Sequence, residues 1–159
     1  MKLSPIIAVA AAALTAGVAA TSSQTMDAHH IVTMQETKWG PGPGSIPPGA
    51  QATVLYGDPG KEGLFALRLK MPKGYRIAPH SHPKPEIVTV ISGTFRVGSG
   101  DSGDQAKSQP MPAGSFVAIS PGMVHYASTD EETVIQLNST GPWSLTYANP
   151  KDDPRKKTQ

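Results

Sequence analysis

The chain has 159 residues, which is enough for one domain with a substantial core and too few for two of ordinary size. Its 14 Lys and Arg nearly balance its 12 Asp and Glu, and no basic stripe alternates with aromatic residues, so the composition argues against a nucleic-acid partner. Cysteine is absent, which excludes disulfides, thiolate ligands and a cysteine nucleophile.

The first twenty residues have the pattern of a secretory signal peptide. Lys2 gives a positive start, residues 6–20 are apolar and rich in alanine, and Val18-Ala19-Ala20 supplies the small residues that a signal peptidase accepts. The alternative is a membrane anchor, but the apolar run is shorter than the roughly 20 residues that span a bilayer. The pattern predicts cleavage close to Ala20, and therefore a periplasmic or secreted protein that is not held at the membrane.

Residues 21–30 are polar and are predicted to be flexible. The adjacent His29 and His30 raise the question of a second metal site. Processing before Asp27 would expose Asp27-Ala28-His29, whose amine, amides and imidazole suit Cu(II) or Ni(II). Met26 is a poor residue to precede a cleavage site, however. Solvated histidines are therefore the preferred interpretation.

From residue 31 onward the sequence reads as short strands separated by turns. Gly and Pro number 16 each, which favours tight turns over helices. Residues 87–91 are apolar apart from Thr89, which is typical of a strand buried on both faces. The predicted strands cover residues 31–34, 52–56, 64–69, 75–82, 87–91, 94–97, 115–119, 124–128, 133–138 and 143–147.

Three segments between and after these strands are predicted to be irregular. Repeated Pro and Gly make residues 39–44 a loop, which we expect Trp39 to anchor. Residues 98–109 form a polar excursion, and residues 150–159 form a charged, flexible tail. About eight to ten short strands with evenly spaced turns predict an all-β fold. The expected architecture is an antiparallel barrel or double-sheet jelly roll, in a single domain over residues 31–149.

Four residues of metal-ligand type occur in two segments. His80, His82 and Glu86 lie close together, and His125 follows about 40 residues later. Side chains on a strand alternate between faces, so His80 and His82 can share one ion. Three imidazoles and one carboxylate suit a divalent transition metal, namely Fe, Mn, Ni, Zn, Co or Cu. A lone His-x-His is a weak signal, and the two further ligand-type residues strengthen it.

The predicted metal site is of the open type. Four protein ligands on a metal that favours six leave two positions for water, dioxygen or a chelating substrate. The sequence contains no Ser-His-Asp arrangement, so any chemistry runs through the metal. Glu86 has an alternative role, as a base that leaves the metal to accept a proton.

Strand alternation also predicts the surroundings of the ligands. Met123 and Ala127 should face the same way as His125, and Val88 and Val90 the same way as Glu86, which predicts a largely apolar cavity. Met123 is interpreted as core packing in preference to a copper ligand, because no second methionine is placed to join it. The candidate hydrogen-bond donors around the ligands are Tyr75, Tyr126 and Ser81.

Both ligand segments resemble the sequence motifs of the cupin superfamily. The first motif is Gly-x5-His-x-His-x3-Glu-x6-Gly, matched without a gap by Gly74, His80, His82, Glu86 and Gly93. The second is Gly-x5-Pro-x-Gly-x2-His-x3-Asn, matched by Gly114, Gly122 and His125, with Ser120 in place of Pro and Thr129 in place of Asn. The resemblance implies a jelly-roll barrel that holds one metal ion through His80, His82, Glu86 and His125.

A narrower similarity is to small single-domain cupins that bacteria export. It is carried by Trp39-Gly40-Pro41, Pro47-Pro48-Gly49-Ala50, Tyr56-Gly57-Asp58-Pro59 and His82-Pro83. Cupins as a whole have many functions, so two hypotheses stay open. One is a metal-dependent enzyme that carries out a dioxygenase-like oxidation of a small organic molecule. The other is a non-catalytic module that binds or senses a metal or small ligand. A homodimer formed through an edge strand is compatible with either.

Overall fold

Two antiparallel sheets account for all the strands in residues 29–156, which are the residues that this computed structural model describes. In spatial order the six-stranded sheet contains β1 (Gly40–Pro41), β2 (Gln51–Tyr56), β3 (Gly63–Met71), β10 (Thr133–Gly141), β5 (Glu86–Ser92) and β8 (Phe116–Ile119). The five-stranded sheet contains β11 (Thr146–Tyr147), β4 (Arg76–Ser81), β9 (His125–Thr129), β6 (Thr94–Ser99) and β7 (Gln109–Pro112). The predicted all-β jelly roll is confirmed.

One hydrophobic core is shared by both sheets. On β3 every second side chain is buried, and the buried set is Phe65, Leu67, Leu69 and Met71. This set meets Ile77, Phe95 and Ala127 of the five-stranded sheet in the same cluster. Each such large side chain contributes about 1.5–3 kcal/mol when it is buried, so the alternation along β3 fixes which face of the sheet turns inward.

Strand β5 is buried on one face only, where the sequence predicted burial on both. Val88 and Val90 are 1 % exposed. Ile87, which lies between the buried Glu86 and Val88, is 37 % exposed. The outward face of the six-stranded sheet is left partly open to solvent at this strand. An apolar run does not distinguish the two situations, because antiparallel sheets commonly pack on one face alone.

The amino-terminal part of the described chain differs from the prediction. Residues 31–34 form no strand, because Glu36 accepts hydrogen bonds from the backbone and hydroxyl of Thr33 and closes a local turn. The predicted loop at residues 39–44 contains the short strand β1, which pairs with Gln51 and Ala52. Trp39 does anchor this region, since the ammonium of Lys70 lies 4.9 Å from the centre of its ring.

Two further segments are more ordered than the sequence predicted. The polar excursion after β6 contains a 3-10 turn at Gln105–Lys107 and is followed by β7, which pairs with β6. Strand β7 was not predicted because it contains Pro110 and Pro112, and proline cannot donate a hydrogen bond between strands. Proline is accepted here because β7 lies at the edge of its sheet.

The carboxyl-terminal residues up to 156 are also structured, as 3-10 turns at Pro150–Asp152 and Pro154–Lys156. Arg155 donates to Leu145 O (3.0 Å) and to Asp153, which is buried. Residues 150–156 thus contain local structure within the segment that was predicted to be a flexible tail, and the flexibility itself stays a prediction. The predicted strand at residues 143–147 is reduced to β11.

The predicted signal peptide and residues 21–28 lie outside the described residues, so export and the cleavage position remain predictions. The compact unit that holds both sheets begins at Ile31. Within the described part of the chain, none of the helices is long and apolar enough to cross a membrane.

Candidate metal centre

Three histidines meet at one end of the space between the sheets. His80 lies on β4 and pairs across the sheet with His125, the first residue of β9. His82 comes directly after Ser81, the last residue of β4, and faces the same way as His80, as strand alternation requires. One ligand atom from each histidine lies within 4.8 Å of the others, and all three side chains are buried. The histidine cluster that the sequence predicted is therefore assembled, across more than 40 residues of chain.

Each imidazole is fixed by a backbone carbonyl at its Nδ1 atom. A carbonyl only accepts hydrogen bonds, so each Nδ1 carries the hydrogen and each neutral ring keeps a lone pair on Nε2. This is the arrangement in which a histidine ligates a metal through Nε2. The Nδ1 to oxygen distances are 2.7 Å from His80 to Ala78, 2.8 Å from His82 to Ser144 and 3.1 Å from His125 to Met123.

Glu86 lies against the histidine cluster, at the start of β5. Its Oε2 atom is 2.9 Å from Nε2 of His125 and 3.4 Å from Nε2 of His82. The side chain is buried, so a carboxylate here faces the same small space as the imidazole lone pairs. This position is consistent with the predicted role of Glu86 as a fourth ligand, which remains a prediction, as does its role as a base.

Burial and neighbouring groups shift the pKa values of His80, His82 and Glu86. Burial lowers the pKa of His80 to about 3, and the neighbouring His125 acts in the same direction. Burial also lowers the pKa of His82. For Glu86 burial acts to raise the pKa, and the neighbouring histidines, His125 first, lower it overall. Neutral imidazoles and an ionised carboxylate are the protonation states that bind a divalent cation.

An unpartnered atom shows that the site fits a metal ion. Nε2 of His82 is buried and has no hydrogen-bond partner among the described residues. A buried polar atom without a partner costs about 1–3 kcal/mol, so native proteins rarely leave one. A cation placed among the Nε2 atoms would satisfy it. The residues present therefore fit one divalent transition metal.

Trp143 holds His82 from a direction that the sequence did not indicate. Its indole stacks on the His82 ring at 4.0 Å and 15°, and meets Phe65 edge-on at 5.8 Å. The Trp143 backbone N–H donates to Pro59 O at 2.7 Å. The next residue, Ser144, supplies the carbonyl for His82. The turn between β10 and β11 thus contacts the His82 imidazole twice. Trp143 stacks on its face, and the Ser144 carbonyl binds its Nδ1 atom.

A cavity of about 460 Å³ opens beside the centre and is lined by His80, His82, Glu86 and mainly apolar side chains. The predicted apolar cavity is present, but different residues build it, including Leu67, Leu69, Ile77 and Leu137. Val88, Val90 and Ala127 are buried in the core instead. Met123 is 49 % exposed, so its interpretation as core packing is wrong.

The predicted side-chain donors do not contact the ligands. The hydroxyl of Tyr75 donates to Pro47 O, and that of Tyr126 donates to Asp104 O at 2.6 Å, so both fasten loops. Ser81 lies between two inward-facing histidines and pairs with Thr146 on the neighbouring strand. Main-chain carbonyls take the place that these side chains were expected to fill.

The glycines of the two motifs make the turns that bring the ligands together. Gly93 has φ +75°, and a Cβ there would lie 2.5 Å from Glu132 O, so only glycine fits. Gly122 has φ +76°, and its N–H donates to His82 O at 2.8 Å, which ties the second motif to the first. Thr129, where the motif has asparagine, accepts from the Tyr75 N–H at 3.0 Å and donates to Pro72 O at 2.6 Å.

The chain belongs to the ChrR cupin-like domain family, whose model matches residues 27–144. A curated relative from Oryza sativa subsp. japonica, named Putative germin-like protein 2-3, is 33 % identical over 78 residues. That match covers 45 % of this chain and only 35 % of the relative, so the chain spans about a third of the length of the protein it matches. The cupin resemblance of the two motifs is thereby confirmed.

Solved structures of cupins share the fold. A structure described as a putative acetylacetone dioxygenase from Methylibium petroleiphilum PM1 has a TM-score of 0.61 at 22 % identity and covers 79 % of this chain and 85 % of its own. The polyketide cyclase RemF from Streptomyces resistomycificus has a TM-score of 0.60 at 15 % identity, with 78 % and 88 % covered. An RmlC-like cupin from Shewanella frigidimarina NCIMB 400 has a TM-score of 0.56 at 19 % identity, with 70 % and 90 % covered. At these identities the likeness shows the architecture and not the reaction.

Proposed function

We propose that this protein is an exported cupin enzyme that binds one divalent transition metal through His80, His82, Glu86 and His125. Its reaction is a dioxygenase-like oxidation of a small organic molecule. The observation that carries the proposal is the convergence of three Nε2 lone pairs and one carboxylate beside an open cavity, with every Nδ1 already held by a carbonyl. A site that only stabilised the fold would not need a cavity of this size next to it.

The chain's own residues would bind, orient and shield the reactants. A redox-active metal at the site would supply Lewis acidity and activate dioxygen. The carbonyl contacts fix each imidazole plane, so the ligands need little rearrangement. The apolar walls exclude water from the reacting atoms. Glu86, whose lowered pKa keeps Oε2 ionised, accepts a proton from the substrate in its alternative role as a base.

The comparison with the dioxygenase-described structure supports this reaction class only by analogy. The two chains share the fold at 22 % identity, and that similarity does not transfer a substrate. The support from the sequence is the ligand set itself, which leaves two metal positions free for dioxygen and substrate. Export is supported by the apolar, alanine-rich start of the chain.

The alternative function, a non-catalytic module that binds a metal or small ligand, is favoured by one observation. Apart from the histidines and Glu86, the only titratable side chain among the described residues that line the cavity is Asp58. Its carboxylate is already engaged by the Gly60 N–H and by Lys61. Proton transfer within the cavity therefore depends on Glu86 alone, and a protein that only binds needs none.

The first experiment measures bound metal. The protein is purified from the compartment to which it is exported and analysed for metals beside a His80→Ala/His82→Ala variant. A matched control, His29→Ala/His30→Ala, removes two histidines outside the site. About one redox-active metal per chain is expected in the wild type and in the control, and none in the site variant. Absence of metal from all three proteins would refute the proposed function.

The second experiment separates the enzyme from the binding module. Dioxygen consumption is measured with small aromatic and dicarbonyl compounds, using wild type and Glu86→Gln. Turnover that the substitution abolishes supports the enzyme. Bound metal with no turnover across the panel favours the binding module. Amino-terminal sequencing of the secreted protein tests export, with a new terminus expected close to residue 21.

A further inference from the structure

The cavity beside the metal centre has an electrostatic composition that limits what can enter it. Its walls come from both sheets and from the Pro-rich loop before β2, and most of the contacts that they offer are apolar. Leu67 and Leu137 come from β3 and β10, Ile77 from β4, and Leu145 from the turn before β11. Such walls favour the burial of hydrocarbon surface and offer little to a polar surface.

No lysine or arginine is found among the described residues that line this cavity. The formal charges present are negative, on Glu86 deep in the site and on Asp58 near the mouth. Asp58 is partly neutralised by Lys61, whose ammonium lies 3.2 Å away and is exposed. A carboxylate or phosphate that enters must therefore give up its hydration without meeting a cation from the protein, which is costly in an apolar setting.

Few hydroxyl groups are available to replace the hydration of a sugar. Ser45 and Thr53 are the hydroxyl-bearing residues among the described lining residues. The carbonyl of Ser45 is already occupied, because the Tyr147 hydroxyl donates to it at 2.8 Å. A polyol that left several hydroxyls unpaired on binding would lose affinity with each of them.

The inner end of the cavity offers a flat aromatic surface. Trp143 lines the cavity and rests on His82, so a molecule seated there touches the indole next to the ligand cluster. Aromatic side chains attract planar apolar molecules by more than the buried area alone accounts for, because the rings pack face to edge or offset. The polar side chains next to it are His80, His82 and Glu86.

We propose that the cavity selects an uncharged, mainly apolar organic molecule, whose one or two oxygen atoms face the histidines while its hydrocarbon part lies along Trp143 and the leucine walls. The protein's own lining residues favour such a molecule over sugar acids, phosphates and other organic anions, for which they supply no cationic side chain. The inference rests on the proposed function for its assignment of this cavity as the substrate site. It narrows that function to the oxidation of neutral aromatic or carbonyl compounds.

The test compares two probes of matched size, 2-naphthol and 2-naphthoate, by isothermal titration calorimetry at neutral pH. The purified protein is used both metal-free and loaded with Zn(II), and near-ultraviolet circular dichroism checks that each form is folded. In the metal-free protein 2-naphthol is expected to bind at least about tenfold more tightly than 2-naphthoate. Equal or tighter binding of the carboxylate in this form overturns the proposal, and so does failure of both probes to bind.

A charge placed in the cavity sharpens the test. Val54 lines the cavity and is 52 % exposed, so Val54→Lys adds a cation at the mouth without burying it. The variant is expected to raise 2-naphthoate affinity about tenfold and to lower that of 2-naphthol. The matched control is Leu64→Lys, at a residue of β3 that is 70 % exposed and is not among the lining residues, and it should leave both affinities unchanged.

The comparison between these two variants is made on Zn(II)-loaded protein, so any direct binding of the carboxylate to the metal is the same in both. Equal responses of Val54→Lys and Leu64→Lys would show that the probes bind elsewhere and overturn the proposal. Probe affinity does not depend on turnover. A protein that binds 2-naphthol as described but consumes no dioxygen therefore refutes the enzyme and not the cavity's preference.

Discussion

The polar groups on the two faces of the five-stranded sheet differ in whether other protein atoms satisfy their hydrogen bonds. On the outward face Arg76 and Arg96 flank Ser128 across three neighbouring strands. Arg96 Nε donates to both carboxylate oxygens of Asp130, at 2.9 and 2.8 Å, and Ser128 donates to the Gln105 side chain. On the inward face Nε2 of His82 is buried without a hydrogen-bond partner among the described residues, and the Glu86 carboxylate lies 3.4 Å from it.

The contrast separates a structural network from a binding site. In the outward network Arg96 is paired with Asp130 and Ser128 with Gln105, so protein atoms supply these partners and the Ser128 contact fastens the turn at Gln105–Lys107 to the sheet. The inward cluster collects acceptors in a buried place, which is unfavourable until a cation arrives. An unmatched set of buried acceptors is therefore a better guide to function than the number of charged residues in a cleft.

The largest effect on metal affinity is expected from a substitution of Glu86, the carboxylate of the inward cluster. Glu86→Gln keeps the shape and removes the negative charge that balances a cation. Metal affinity should fall by more than the roughly 10–100-fold that follows loss of an outer hydrogen-bond partner. Competition with a chelating dye measures it. Glu36→Gln, which changes an exposed carboxylate of a local turn, is the control, and a similar loss there would contradict the assignment.

The next effect is the stabilisation of the fold by metal. A ligand present at 100 times its Kd adds about 2.7 kcal/mol to the free energy of unfolding if only the folded state binds it. For a domain of this size that is an increase in Tm of about 5–10 °C. Differential scanning calorimetry with and without Zn(II) measures the increase. His80→Ala/His82→Ala should show none, and an unchanged increase in that variant would place the metal elsewhere.

A smaller effect concerns Trp143, which touches the cluster without binding metal. Trp143→Ala removes the stacked ring from His82 and should lower metal affinity about tenfold, while Trp143→Phe retains a ring and most of the affinity. Cu(II) should also quench the indole emission in the wild type. The quenching is expected to disappear in Trp143→Phe and persist in Trp39→Phe, since Trp39 lies over Lys70. Loss of quenching in Trp39→Phe instead would contradict this.

The smallest effect belongs to the outward face. The side chains of Arg96 and Asp130 are 29 % and 48 % exposed, so Arg96→Ala should cost at most about 1 kcal/mol in the free energy of unfolding. Urea denaturation measures this. Metal affinity and probe binding should stay at wild-type values. A change in either would show that the two faces of the sheet are coupled and that the contrast drawn between them is too simple.

The sequence predicted the part of the site that local spacing determines. His80 and His82 face one way because they are two residues apart on a strand, and Gly93 and Gly122 mark turns whose positive φ favours glycine. The separation of His125 from them is bridged by the pairing of β4 with β9, which the fold class implies. These features repeat at short range, where side-chain alternation and turn chemistry decide the structure.

The sequence did not predict contacts that join distant segments. The grip of Trp143 and Ser144 on His82 spans about 60 residues and follows from no local pattern. Met123 was expected inside because alternation was assumed to continue through a turn, where it does not hold. The prediction of a strand at residues 31–34 was wrong for a different reason. The backbone N–H and the hydroxyl of Thr33 both donate to the Glu36 carboxylate, and this local turn outweighed β propensity.

The three imidazoles differ in how far along the chain their support comes from. The Nδ1 atoms of His80 and His125 are each held by the carbonyl of the residue two positions earlier. The Nδ1 atom of His82 is held by the carbonyl of Ser144, 62 residues later. Arg155 in turn supports the neighbouring Leu145 carbonyl. During synthesis two ligands can be oriented well before the third. Tight metal capture therefore requires the segment that carries Ser144 to be in place, and a chain that lacks this segment would compete poorly for the ion.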